Sequence, residues 1–131
     1  MNDRFKFRAW DKSFCRMIYN IFFFCKENKI TVYELEEDAT KSYLPNSHIV
    51  LEQCTGLKDK NGRLIYEGDI IRHDTVAGPM HWAVEFKNGC FVLAYESGDA
   101  WLMKVIEHCP YDSGVVVVGN IHENPELLED K

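Results

Sequence analysis

Asparagine followed by glycine occurs twice in this chain, at Asn61-Gly62 and Asn88-Gly89, each time between segments rich in apolar, β-branched and aromatic residues. Gly has no Cβ to clash and Asn tolerates the left-handed region, so the dipeptide readily supplies two consecutive positive φ angles for a tight hairpin turn. Gly56 and Gly68 punctuate the same stretch. Glu67-Gly68-Asp69 reads as one more turn before the apolar run at Ile70. A chain with closely spaced turns of this kind is directed toward short antiparallel strands rather than helices.

The flanking segments agree. Phe5, Phe7 and Ala9 alternate with Lys6, Arg8 and Trp10, the period of two of a half-buried strand. Between Cys15 and Phe24 the residues Ile21, Phe22, Phe23 and Phe24 stand consecutively, so both faces of that segment require cover. Phe22 and Phe23 then point to opposite faces, one into the core and the other toward a second subunit, and a homo-oligomer is expected. Ile30 to Leu35 reads as a strand. Residues 36–47, acidic and containing Pro45, read as a loop, and His48 to Cys54 as a strand again. Further on come a strand at Ile70 to His73, a loop at Ala77-Gly78-Pro79, a hairpin from His81 to Tyr95 and a short helix at Ala100 to His108. Val115 to Ile121 reads as a strand whose continuous apolar run, Val115 to Val118, is expected to be the most buried, and Asn124-Pro125 is expected to open a helix with Pro at its first position. The expectation is a mainly β protein with minor α: an N-terminal segment of antiparallel strands, residues 1–54, packed on an SH3-like C-terminal barrel, residues 55–131, as one compact unit.

Composition narrows the chemistry. At 131 residues and 46% hydrophobic the chain has material for a packed interior. Its longest apolar run, Ile21 to Phe24, falls far short of the ~20 residues that span a bilayer, and its alternating N-terminus does not resemble a secretory signal; a cytoplasmic protein without membrane contact is expected. Cysteines at 15, 25, 54, 90 and 109 form no paired framework and no close Cys or His pair of the kind zinc sites use, so reduced thiols and no metal or cofactor are expected. His108-Cys109, being adjacent, send their side chains apart. No motif exposes a serine or activates a thiol.

Two constellations compete with a purely structural reading. Glu67 and Asp69 are paired carboxylates that could assist metal-dependent chemistry, although residues beside a turn glycine ordinarily cap backbone amides. Arg4, Lys6, Arg8, Lys12 and Arg16 make the first segment basic and Glu123, Glu126, Glu129 and Asp130 make the tail acidic. With Trp10, Trp82 and Tyr95 available for stacking, the basic strand could contact nucleic acid. The formal net charge of -6 opposes that, since affinity for phosphate comes mainly from Lys and Arg, and nucleic acid is not expected as a partner.

Four blocks carry a family resemblance: Phe7-Arg8-Ala9-Trp10-Asp11, Thr55 to Gly62, Ile65-Tyr66-Glu67-Gly68-Asp69-Ile70, and Gly119 to Leu128. In this order and spacing the chain resembles the YopX-like proteins of phages and prophages. The resemblance implies an origin and no reaction. The function expected is that of a non-enzymatic accessory protein acting by binding, either to a phage or host protein or to itself, with Phe22, Phe23, Arg8, Trp10 and Lys12 as contact candidates. A nucleic-acid-binding module using the basic N-terminal strand and a small metal-assisted enzyme using Glu67 and Asp69 are the alternatives.

Overall fold

A computed structural model describes residues 5–75, 77–95, 98–107 and 114–129. Arg4, the Tyr95 side chain, His108, Cys109 and Asp130, singled out in the sequence, lie outside the described residues. The protein is mainly β and its strand pairs are all antiparallel among the described residues. It divides into two compact units, Lys6–Gln53 and Cys54–Lys131 with Phe5.

In the first unit, β1 (Phe7–Asp11) lies between β2 (Arg16–Ile18) and the first half of β6 (Ile49–Lys58). A second sheet has the order β3-β4-β5, from β3 (Ile21–Lys26), β4 (Lys29–Leu35) and β5 (Lys41–Leu44). Glu27 and Asn28, both at positive φ, close the β3–β4 hairpin in two residues. Ala9, Ile18, Val32, Leu44 and Ile49 form the buried core, with Ile21 and Phe23 packed against it. β5 falls inside the stretch read from sequence as loop; it forms because Leu44 and Tyr43 pair with Val32 and Tyr33 of β4. Long-range pairing outweighs the poor local propensity there.

The second unit is built on a five-stranded sheet ordered β11-β10-β9-β8-β12. Its strands are β8 (Asp69–Thr75), β9 (Gly78–Lys87), β10 (Cys90–Tyr95), β11 (Gly98–Trp101) and β12 (Val115–Asn120). A short helix, α1 (Leu102–Glu107), follows β11, and β7 (Leu64–Tyr66) pairs with the second half of β6. Ile65, Ile71, Trp82, Val84, Leu93, Leu102, Val115 and Val117 form its core.

The turns divide in their chemistry. Asn88 and Gly89 have φ of 51° and 82° and close β9 onto β10 with Lys87 opposite Cys90, as the dipeptide dictates. Asn61-Gly62 also joins antiparallel strands, but only Gly62 is at positive φ. There the organiser is Asp59, whose Oδ1 accepts from the amides of Asn61 and Arg63 at 2.9 Å while Oδ2 accepts from Val117 at 3.0 Å. Gly68 turns β7 into β8 at φ 86°. Gly56 is not a turn residue: it lies within β6, where the pairing with β7 slips between Cys54 and Lys58. Extra residues on one strand make a bulge, and its positive φ suits glycine.

Two further expectations are corrected. Val115 to Val118 is not buried throughout, because adjacent residues of β12 point to opposite faces: Val115 and Val117 face the core while Val118 is exposed. Pro125–Leu128 is a single 3-10 turn with Pro at its start, and Asn124 does not cap it by its side chain. Asn124 Oδ1 instead accepts from the Asn120 amide at 3.2 Å.

Candidate functional site

Adjacent residues of a strand point to opposite faces, and the β3-β4-β5 register fixes which side chains share one. Phe22 lies opposite Tyr33, and Tyr33 opposite Tyr43. Phe24 is two residues from Phe22 on the same face. The four rings form a continuous patch, with centroids 6.2 Å apart for Phe22–Phe24, 6.3 Å for Phe22–Tyr33, 6.1 Å for Phe24–Tyr33 and 5.9 Å for Tyr33–Tyr43. Phe24 and Tyr33 are nearly parallel, at 23°. Phe22, Phe24 and Tyr43 are 42%, 45% and 55% exposed, so within this chain the patch meets solvent. The opposite face holds Ile21, Phe23, Val32 and Leu44 against the core, and Phe23 meets Phe7 edge-on at 4.8 Å.

The same parity places Lys26, Lys29 and Lys41 on the ring-bearing face, Lys26 paired with Lys29 and Lys41 with Leu35. Lys41 Nζ stands 4.7 Å from the Phe22 centroid, a cation–π arrangement. None of the strand residues on that face is a carboxylate. Glu34 belongs to the other face, opposite Ile21, and is held by both terminal nitrogens of Arg16 at 3.2 and 2.7 Å. That pairing, together with Asp11, holds the Arg16 proton more tightly than usual, the Glu34 hydrogen bond contributing most. Glu27 and the 36–38 run sit in the flanking turns.

The residues singled out from sequence scatter. Phe22 and Phe23 do lie on opposite faces, one open and one core-packed. Lys12 is exposed and its amide donates to His48 O at 2.7 Å. Arg8 and Trp10 do not present their side chains as a basic, stacking surface: Arg8 is 1% exposed with Nε donating to Glu52 Oε1 at 2.9 Å, and Trp10 is buried. A charge so placed is retained because it is paired. Trp82 is in the core of the other unit. Of the carboxylate pair, Asp69 is buried with Oδ2 accepting from the Tyr66 amide at 2.8 Å, the turn-capping role, while Glu67 is half-buried. Among the described residues no three His, Cys, Asp or Glu side chains are grouped to hold a metal ion, and no helix is long and apolar enough to cross a membrane. A cleft of about 250 Å³ in the first unit is lined by Asp11, Arg16, Glu34, Glu36 and His48, but Asp11, Arg16 and Glu34 are committed to each other and to the turn amides of Ser13 and Phe14, and Glu36 accepts from the Ser42 hydroxyl.

Tyr33, Tyr43 and the three lysines escaped the sequence reading, which took Phe24 only as part of an apolar run. The alternation of Phe22, Phe24 and Lys26 is visible in the chain, but Tyr43 joins them only through the strand pairing of β5.

The fold and site thus define a small, mainly β, antiparallel protein that presents an aromatic and basic sheet face to solvent. Residues 6–129 match the family profile described as YopX protein, and the chain belongs to that family. Its fold is shared with protein EF1440 from Enterococcus faecalis, a crystal structure 29% identical in sequence, with a TM-score of 0.69 over 94% of this chain and 96% of that one. The crystal structure of YopX from Bacillus subtilis is 20% identical with a TM-score of 0.67, covering 95% of this chain and 98% of that one, a likeness of fold alone. No curated protein matches the sequence.

Proposed function

We propose that this chain is a phage or prophage accessory protein that acts in the cytoplasm of its bacterial host by binding a macromolecule rather than by catalysis, with the open face of β3, β4 and β5 as the contact surface. The observation that carries this reading is the joint exposure of Phe22, Phe24 and Tyr43 in one ring cluster. Fully burying a large apolar side chain gains roughly 1.5 to 3 kcal/mol, and these rings, about half exposed, each forgo about half of that, so together they favour a partner. Scattered exposed rings would carry no such argument; contiguity does.

The test compares wild type with Phe24→Asp by affinity capture from prophage-induced cells. The expected result is a retained macromolecule that the variant, still folded at the assay temperature, no longer captures. An identical catch from both proteins overturns the reading.

A further inference from the structure

The geometry points to a single-stranded nucleic acid as the occupant of the open β3-β4-β5 face, an inference that rests on that face being the contact surface. Aromatic side chains accept the flat face of any unstacked base, and cations beside them track the phosphates. Both are present together. The lysines bracket the rings: Lys26 and Lys29 are paired at the hairpin end of the sheet, and Lys41 is opposite Leu35 toward the other end. Lys29 and Leu35 are six residue steps apart along β4, which at about 3.4 Å per step is roughly 20 Å, room for a few nucleotides.

Charge decides among occupants. A second copy docked by the same face would bury three lysines from each copy, and the strand residues of that face offer no carboxylate to pair with them. An acidic peptide would meet the lysines but offers the rings no planar groups to stack on. A duplex keeps its bases inside the stack and out of reach of Phe22, Phe24 and Tyr33. The net charge of -6 does not forbid the contact, because salt at physiological strength screens charges beyond about 8 Å and the strand residues of the face carry lysines alone among charged groups, the nearest carboxylates lying in the flanking turns at Glu27 and residues 36–38.

Fluorescence anisotropy of the full chain with labelled oligo-dT and oligo-U, against a duplex of equal length, tests this. Single strands should bind with log K falling against log salt at a slope of about -2, from three lysines at about 0.7 each, so affinity drops roughly twentyfold between about 50 and 200 mM salt. Phe24→Ala should weaken binding about tenfold, equivalent to about 1.4 kcal/mol and within the range for losing one stacked base. Lys29→Glu should weaken binding and flatten the slope, while Val118→Ala, an exposed site in the other unit, should change nothing. Single-strand binding indifferent to the face variants, or duplex binding of equal strength, overturns the inference. Absence of single-strand binding overturns it too, and light scattering then separates the cases: an oligomer dissociated by Phe24→Asp keeps the face as a contact surface, whereas no effect of Phe24→Asp on any association removes that reading as well.

Discussion

The two outward sheet faces of this protein solve the same problem differently. On the five-stranded sheet, the face away from the core carries charges of both signs in contact: Lys87 Nζ lies 3.7 Å from Glu85 and 3.5 Å from Asp99, and Arg72 Nε 3.1 Å from Asp74. On the three-stranded sheet the face away from the core carries four rings and three lysines, with its carboxylates displaced to turns or to the opposite side. The first surface neutralises its charges internally, with an exposed Trp101 in register beside Glu85. The second has apolar area and positive charge, and its strand residues include no carboxylate. Two sheets of similar pleat and antiparallel pairing therefore differ in what they leave unfinished, and the unfinished one is the surface we propose for binding.

The largest effect should separate the two sides of the three-stranded sheet. Val32→Asp buries a carboxylate in the core, where an unpaired charge is among the costliest substitutions; a loss of about 4 kcal/mol or more in urea unfolding is expected. Phe24→Asp on the open side should cost at most about 1 kcal/mol, the scale of a cross-strand ring contact. Equal losses would mean that the open face is covered after all. A middling effect is expected at Gly119, where an added Cβ would run into the Asn124 side chain and displace the Oδ1 that accepts from Asn120. Gly119→Ala should lower stability by about 1 to 3 kcal/mol by calorimetry, through crowding and a lost hydrogen bond.

Lys87→Ala tests whether the neutralised face is held by its charges. Both its pairs are exposed, so a change of at most about 1 kcal/mol, shrinking further in salt, is expected. The smallest effect lies in the β4–β5 turn. Hydrogen bonds from the Thr40 hydroxyl, and then its amide, hold the Asp38 carboxyl below its ordinary 3.8. The stability this supplies is present above the unfolded value and is lost as pH falls through the lower folded one. Thr40→Val should move the Asp38 titration, followed by NMR, upward toward the ordinary value.

Local chemistry was legible where it was decided locally. Asn88-Gly89 sits at two positive φ angles as its residues demand, and α1 falls within the segment where apolar residues recur at helical spacing. What a distant residue decides was not legible. The basic alternation of the first strand suggested a surface, but Glu52, 44 residues away, takes Arg8 inside. Asn61-Gly62 closes a hairpin around the carboxylate of Asp59 rather than through its own φ angles. The ring cluster needed the register of β5, a strand whose acidic approach and Pro45 give no local signal. Net charge summed over the chain likewise hides the lysines that the pairing gathers on one face. The nucleic-acid proposal accordingly departs from the expectation that the net charge set.

The most direct measurement is a titration of the isotope-labelled protein with a short oligo-dT, followed by amide and aromatic NMR shifts. The account predicts changes concentrated on Phe22, Phe24, Lys26, Lys29, Tyr33, Lys41 and Tyr43, with the Lys87–Glu85–Asp99 face unmoved. Shifts centred on the five-stranded sheet, or none at millimolar oligonucleotide, would contradict it.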